Sequence, residues 1–155
     1  MGLQKYQTKR KFGKTTEPKG KSRVKSYSRF VVQKHNASHL HYDFRLELPE
    51  KINKGEIVLK SWAVPKGVPQ KAGVKSLAVQ TEDHPVEYIN FHGVIPKGNY
   101  GAGTVEIWDK GKFILIEAKK KSLKFELKGK KLKGKYVLFN FSKKNWFLFK
   151  MKNQK

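Results

Sequence analysis

The stretch from Leu40 to Leu48 alternates between apolar and polar side chains along its whole length. This period of two is typical of a β-strand with one face against a core. The apolar positions are Leu40, Tyr42, Phe44, Leu46 and Leu48, and the polar positions between them are His41, Asp43, Arg45 and Glu47. A strand here would therefore present an imidazole, a carboxylate and a guanidinium in a row on one face.

Similar short apolar runs recur along the chain, separated by Gly, Pro and Asn. The predicted strands span residues 30–33, 40–48, 57–64, 76–81, 104–108, 113–117, 123–127, 136–141 and 146–151. The predicted turns span residues 49–55, 109–112 and 142–145, and only residues 85–89 suggest a helical turn. Many short strands at regular spacing indicate an all-β protein, either a closed barrel or a sandwich.

Residues 1–28 are polar and rich in Lys, Gly, Ser and Thr, which predicts an extended basic N-terminal arm. Residues 29–155 predict a single domain. The formal net charge of +23 favours a polyanionic partner, and nucleic acid in particular.

The chain contains no cysteine, which excludes disulfides, thiolate zinc sites and cysteine nucleophiles. It also lacks an apolar run of membrane-spanning length and the apolar core of a signal peptide. These features predict a soluble, cytoplasmic protein without a membrane partner. The strongly basic composition further favours a monomer.

A candidate metal site lies at the start of the alternating strand. His35 precedes the strand, and by folding back it would join His41 and Asp43. Two imidazoles and a carboxylate suit Mn, Fe, Co, Ni or Zn. The alternative is that these are ordinary polar residues on an exposed strand face. Arg45, one of only four arginines in the chain, favours a site that holds both a metal and a phosphate. His39 is predicted to be structural or to face solvent.

Residues 81–88 form a second candidate cluster, at the end of a predicted strand. Because Pro85 stiffens the exit, one helical turn would bring His84 and Tyr88 to the same side. Both side chains can donate a hydrogen bond to a phosphate. The alternative is a helix N-cap at Asp83 with Tyr88 in the core.

Two further segments are less specific. Residues 96–103 are rich in glycine, but they match no phosphate-binding fingerprint and are interpreted as a turn with unusual dihedral angles. Trp62 is predicted to lie in the core. Lys66 is a candidate phosphate contact, although a lone lysine is commonly just solvated.

Four segments together resemble the 3′-phosphoesterase domain found at the N-terminus of bacterial DNA ligase D, namely residues 30–48, 59–67, 77–88 and 93–108. The resemblance runs from Tyr6 to about Lys150. It implies a small closed β-barrel with short 3-10 or helical turns. It also implies Mn²⁺-dependent repair of DNA 3′ ends, in which a 3′-terminal ribonucleotide and a 3′-phosphate are removed to leave a 3′-hydroxyl for end joining.

The resemblance assigns roles to individual residues. It implies that His35, His41 and Asp43 hold Mn²⁺, with Co²⁺ or Zn²⁺ as alternatives, and that Arg45, His84 and Tyr88 contact the reacting phosphate. The further polar positions that match are Arg10, Glu17, Gln33, Lys66 and Glu82. The implied partners are DNA 3′ ends, especially a primer–template ending in a ribonucleotide or a phosphate, with DNA ligase, polymerase and Ku as separate proteins.

Two positions depart from the family pattern. Lys11 stands where the family usually has an aspartate, and Ser76 stands where an arginine often precedes the strand. These departures weaken the prediction of ribonucleotide removal more than that of phosphate removal. Two other functions remain open. A non-catalytic nucleic-acid-binding barrel would be indifferent to a chelator, whereas a nuclease that cuts within strands would show no preference for 3′ ends.

Overall fold

The computed structural model describes residues 29–51, 54–99 and 101–152, and within them the chain forms nine strands and one 3-10 helix. The strands are β1 (Arg29–Asn36), β2 (Leu40–Lys51), β3 (Lys54–Val64), β4 (Lys75–His84), β5 (Gly93–Ile95), β6 (Gly103–Lys119), β7 (Ser122–Lys128), β8 (Lys133–Ser142) and β9 (Asn145–Lys150). The 3-10 helix spans Val86–Asn90, between β4 and β5.

The strands close into an antiparallel barrel in the order β1-β2-β3-β4-β9-β8-β7-β6, and β6 pairs back with β1. The short strand β5 adds to the beginning of β6. This architecture confirms the predicted small closed all-β barrel with a 3-10 turn. The predicted arm at residues 1–28 lies outside the described residues. Among those that are described, no helix is long and apolar enough to cross a membrane.

The barrel interior is filled by large aromatic and aliphatic side chains. Trp62 is 1% exposed, which confirms its prediction as a core residue. The ring centroid of Phe44 lies 6.4 Å from that of Trp62 and 5.8 Å from that of Phe125, so facing strands meet through aromatic contacts. Since each buried aromatic ring removes a large apolar area from water, this cluster dominates the stability of the barrel.

The predicted tight turn at residues 109–112 is wrong, because β6 runs through it without interruption. Asp109 does not reverse the chain. Its carboxylate accepts hydrogen bonds from the backbone N–H groups of residues 130, 131 and 132, at 2.9, 3.1 and 2.9 Å. A side chain at Gly111 would clash with the carbonyl oxygen of Lys128, so glycine here permits a close backbone approach. Asp109 and Gly111, although typical of turns, therefore hold β6 close to the segment that follows β7.

Other strands and turns also differ from their predicted bounds. The predicted turn at residues 49–55 is too long, because Pro49 pairs with Ile57 and Lys51 pairs with Lys54. Strand β5 was not predicted, and its three residues are too few to show an alternation. The predicted hairpin turn at residues 142–145 is confirmed, with Lys143 at a φ of 48°.

Candidate functional site

The candidate site lies on the outer face of the barrel wall, not in its interior. Phe44 and Leu46 of β2 point into the core, so Asp43 and Arg45 point outward, as the alternation predicted. The register of β1 and β2 places His35 opposite His41 and Gln33 opposite Asp43. The predicted row of polar side chains is therefore present, and β1 extends it.

The 3-10 helix covers this outer face and largely removes the site from water. Ile89 of the helix packs against Val31 of β1 and Leu59 of β3 in a small apolar cluster outside the barrel. Beside this cluster, Asp43 is only 7% exposed and Arg45 only 5%. Burial at this level strengthens electrostatic interactions, because fewer water molecules screen the charges.

His35, His41 and Asp43 converge as the sequence predicted. One potential ligand atom from each lies within 4.8 Å of the other two. The Asp43 carboxylate stands between the imidazoles, with Oδ2 at 3.4 Å from Nδ1 of His35 and Oδ1 at 3.2 Å from Nε2 of His41. The two imidazole centroids are 4.8 Å apart.

Backbone carbonyls orient both imidazoles. Nε2 of His35 lies 2.7 Å from the carbonyl oxygen of Gly101, and Nδ1 of His41 lies 3.1 Å from that of His39. A carbonyl only accepts hydrogen bonds, so these nitrogens carry the hydrogens. The opposite nitrogens both face Asp43. In a neutral ring such a nitrogen keeps its lone pair, and in a protonated ring it donates a hydrogen bond to the carboxylate. This arrangement fits a divalent transition metal, whose histidine ligands are commonly held by an outer hydrogen bond.

The pKa values of these groups reflect their mutual interaction. Burial raises the pKa of Asp43, but hydrogen bonds from His35 and His41 and the charge of Arg45 outweigh it, and the net pKa is well below the usual range. The hydrogen bond with Asp43 raises the pKa of His41, against the effect of burial. Asp43 is thus ionised at neutral pH, as a metal ligand must be, and protons would compete with a metal at His41.

Arg45 is held in one orientation. Its Nε donates to Oε1 of Gln33 at 2.6 Å, and its NH1 donates to Oγ of Ser61 at 2.8 Å. Its NH2 lies 3.5 Å from Oδ2 of Asp43. The guanidinium carbon also lies 5.0 Å from the centroid of the Tyr88 ring. Burial lowers the pKa of Arg45, and the nearby Asp43 and Tyr88 oppose that shift. The side chain remains a cation next to the candidate metal ligands.

His84 and Tyr88 lie together, as the helical-turn prediction required, with ring centroids 4.8 Å apart. Nδ1 of His84 is 2.9 Å from the carbonyl oxygen of Glu82 and 3.3 Å from NH1 of Arg45. The same nitrogen cannot donate to the first and accept from the second. The shorter distance favours donation to the carbonyl, which leaves Nε2 as the basic nitrogen of the neutral ring.

The alternative prediction for this segment, a helix cap at Asp83 with Tyr88 in the core, is wrong. No side chain caps the 3-10 helix, and its N-cap residue is Pro85. The Asp83 carboxylate instead pairs with Lys60 at 3.2 Å. Tyr88 packs against the apolar cluster outside the barrel, not in the main core. Asp83 and His84 are neighbours on β4, so their side chains point to opposite faces, and it is His84 that lies on the side of Tyr88.

The remaining predicted site residues lie at different distances from the centre. Nε2 of Gln33 donates to the backbone carbonyl oxygens of Tyr88 and Phe91 at 3.0 and 3.1 Å, so its amide joins β1 to the 3-10 segment. Burial lowers the pKa of Arg45, and the charge of Glu82 partly opposes that shift. Lys66 is exposed in the turn after β3. Arg10 and Glu17 lie outside the described residues.

Sequence reasoning missed two residues of the site, Ser61 and Gly101. Ser61 pairs with Arg45 in the β2–β3 register, a cross-strand relation that one strand's pattern does not reveal. Gly101 lies in the glycine-rich loop interpreted as a turn, and its φ of 77° fits that interpretation. Its carbonyl nevertheless positions His35. His39 is exposed, in agreement with the prediction that it faces solvent.

Residues 33–140 match the family of the DNA Ligase D 3′-phosphoesterase domain, and the chain belongs to this family. The matched range contains every described residue of the site.

The chain is similar to proteins named multifunctional non-homologous end joining protein LigD. It is 45% identical over 163 residues to that of Pseudomonas aeruginosa and 42% identical over 166 residues to that of Mycolicibacterium smegmatis. It is also 40% identical over 159 residues to the multifunctional non-homologous end joining DNA repair protein LigD of Mycobacterium tuberculosis. These matches cover 97%, 97% and 99% of this chain but only 19%, 20% and 20% of the relatives. The chain therefore spans about a fifth of the length of the relatives it matches.

Proposed function

We propose that this protein is a metal-dependent phosphoesterase that processes DNA 3′ ends. Its reactions would be the removal of a 3′-phosphate and of a 3′-terminal ribonucleotide, each leaving a 3′-hydroxyl for end joining. One observation carries the proposal: Nδ1 of His35 and Nε2 of His41 face the same buried carboxylate of Asp43, and the cation of Arg45 lies beside it. Family membership and the names of the relatives support the same function.

His35, His41 and Asp43 would hold the metal, and their donor set suits Mn²⁺, Co²⁺ or Zn²⁺. When bound, such an ion supplies Lewis-acid polarisation of a phosphate oxygen. The carbonyls of Gly101 and His39 hold the two rings in the tautomers that ligation requires, so little reorganisation accompanies binding.

Arg45 would bind the reacting phosphate. Gln33 and Ser61 satisfy its Nε and NH1, so the guanidinium is fixed before substrate arrives. A preorganised cation in a buried site stabilises charge that develops in the transition state, because it does not have to reorient during the reaction. We assign Arg45 to charge stabilisation and not to proton transfer, since arginine stays protonated.

His84 and Tyr88 would donate hydrogen bonds to the same phosphate. With Nδ1 of His84 bonded to the Glu82 carbonyl, the proton that the ring exchanges is on Nε2. A protonated Nε2 would act as a general acid toward a leaving oxygen, and the Tyr88 hydroxyl would hold a phosphate oxygen. The aromatic contact between the two rings keeps both donors in one place.

The substrates we propose are DNA primer–templates that end in a 3′-ribonucleotide or a 3′-phosphate. A net charge of +23 favours binding to the DNA backbone. DNA ligase, polymerase and Ku would act as separate proteins on the ends that this domain prepares.

The test uses a 5′-labelled primer–template with one 3′-ribonucleotide, incubated with Mn²⁺, with Mg²⁺ and with EDTA. Stepwise shortening to a 3′-phosphate and then to a 3′-hydroxyl is expected with Mn²⁺ and not with EDTA. Removal of only a pre-existing 3′-phosphate would mean a phosphatase that has lost the ribonucleotide step. Tight binding without processing under every condition would instead support a nucleic-acid-binding barrel.

His41→Ala supplies the matching variant, because it removes one ligand from the proposed metal site. We expect it to abolish both reactions and to weaken Mn²⁺ binding measured by calorimetry. His39→Ala is the control, since that side chain is exposed and only its backbone carbonyl contacts His41. Wild-type turnover by purified His41→Ala would refute the metal assignment.

A further inference from the structure

A second surface feature lies on the outer face of β8 and β9. We call it the aromatic strip and define it as Phe139, Phe141, Phe147 and Phe149. Phe139 is 46% exposed and Phe141 is 45% exposed, although both are large apolar side chains. Their strands fill the core with the alternate residues, including Leu138 and Leu148, so the strip is not needed for the interior. Exposed apolar groups in contact with one another mark an interaction surface.

Two rings of the strip stack on each other. The centroids of Phe141 and Phe147 lie 4.3 Å apart with an angle of 19° between the ring planes. Phe139 pairs with Phe147 across β8 and β9, so its side chain lies on the same face. Near-parallel rings at a surface offer flat faces on which a planar ligand can stack.

Ammonium groups accompany these rings. Nζ of Lys75 lies 5.7 Å from the centroid of Phe147 and 5.8 Å from that of Phe149. Lys135 is exposed on the outer face of β8, and Lys143 and Lys144 are exposed in the β8–β9 turn. Aromatic faces surrounded by lysines match the chemistry of a nucleic-acid strand, whose bases stack while its phosphates are neutralised. An apolar surface of a partner protein would fit the rings, but it would offer no counter-charge to these lysines.

The strip continues the surface of the candidate site. Asp43 pairs with Ala63, Ala63 with Val79, and Val79 with Asn145, which makes one row across β2, β3, β4 and β9. Phe147 lies two residues beyond Asn145 on the same face. Three strand spacings separate β2 from β9, or about 14 Å. Small side chains at Ala63 and Val79 leave this path open, whereas the 3-10 helix packs over Val31 of β1 and over Leu59, four residues before Ala63 on β3.

We propose that the aromatic strip binds the single-stranded segment of the DNA whose 3′ end is in the site. The placement of the 3′ end rests on the proposed function, but binding of a single strand to the strip does not. The path from Asp43 to β9 is about four times the 3.4 Å rise of a duplex strand, so it accommodates no more than about four nucleotides of a more extended single strand. The bases must be unpaired, because duplex bases present no free faces for stacking. The strip would thus favour DNA ends that carry a single-stranded segment over blunt ends.

The experiment measures binding separately from catalysis. A fluorescent single-stranded oligothymidine with a 3′-hydroxyl is titrated in EDTA, and anisotropy reports the affinity. Phe147→Leu keeps an apolar side chain but removes the ring, and we expect about tenfold weaker binding, as for the loss of one stacked base. Phe147→Tyr keeps the ring and should bind nearly as well as the wild type. Ile114→Leu is the control. Ile114 is also exposed, but it lies on β6 and pairs with Glu126 of β7, outside the aromatic strip.

Two further measurements distinguish stacking from other causes. Lys75→Gln should reduce the slope of log affinity against log salt by about 0.7, the value for one contact with a single strand. Blunt duplex DNA should bind Phe147→Leu as tightly as the wild type. If thermal unfolding shows that Phe147→Leu is destabilised, Phe139→Leu at the more exposed neighbouring position replaces it.

Unchanged affinity of both leucine variants would overturn the proposal, as would an equal loss for blunt duplex. Equal losses for Phe147→Leu and Phe147→Tyr would also overturn it, because the ring would then be irrelevant. If only the proposed enzyme activity is wrong, the result differs. The protein then processes no DNA with Mn²⁺, but its binding of single strands still depends on the Phe147 ring.

Discussion

Gln33 connects the barrel, Arg45 and the 3-10 segment, and its substitution tests this structural account most directly. Its side chain makes three hydrogen bonds, to Nε of Arg45 and to the carbonyl oxygens of Tyr88 and Phe91. The residue is 0% exposed, so water does not replace a lost partner. Gln33→Leu would leave a buried charged donor and the Phe91 carbonyl unsatisfied. The Tyr88 carbonyl would keep its hydrogen bond from the N–H of Phe91.

We expect Gln33→Leu to lower the free energy of unfolding by about 3 kcal/mol. A hydrogen bond to a charged group contributes about 2 kcal/mol, and an unsatisfied buried carbonyl costs between about 1 and 3 kcal/mol. The apolar area gained by leucine offsets roughly 1 kcal/mol of this loss. Urea denaturation followed by tryptophan fluorescence would measure the change, because Trp62 and Trp146 are buried in the barrel.

Gln80→Leu is the matched control for the same chemical change. Oε1 of Gln80 accepts one hydrogen bond, from Nε1 of Trp146 at 3.1 Å, and the side chain is half-buried. Its loss should cost about 1 kcal/mol. In Gln33→Leu the guanidinium of Arg45 also loses its orientation, so removal of a 3′-phosphate should slow further than the loss of folded protein explains. Equal destabilisation by the two variants, or full activity of folded Gln33→Leu, would show that Gln33 does not hold Arg45 in place.

Three more outcomes follow from single contacts. Asp109→Ala should cost about 3 kcal/mol in urea denaturation, because three backbone N–H groups lose their acceptor. Gly101→Ala, at a φ of 77° and beside the His35 ring, should weaken Mn²⁺ binding measured by calorimetry by about tenfold or more, while Gly73→Ala, which has open space around it, should not. Burial, together with Asp109, raises the pKa of Tyr136 to about 12, so the folded state favours its protonated phenol. The stability this contributes is present below about pH 10 and is lost as the pH rises toward about 12, and the stability difference between wild type and Tyr136→Phe should shrink over that range.

Much of the barrel could be predicted because its signals are local. The alternation of β2 reports which side chains face the core, and each strand carries its own copy of that pattern. The failures occurred where local signals are ambiguous. Asp109 and Gly111 are typical turn residues, but β6 remains extended through them because β1 pairs alongside and the chain at Lys128 approaches closely. No short window of sequence contains that pairing.

The candidate site divides in the same way. The alternation and motifs of the chain were sufficient to select His35, His41, Asp43, Arg45, His84 and Tyr88, since residue type and strand period are properties of the sequence. The cross-strand register decided that Ser61 meets Arg45, and the path of the loop decided that the Gly101 carbonyl orients His35. The sequence alone also did not determine that the site lies on the outer wall of the barrel, under the 3-10 helix. Burial depends on which distant segments cover a strand, and only the closed barrel brings those segments together.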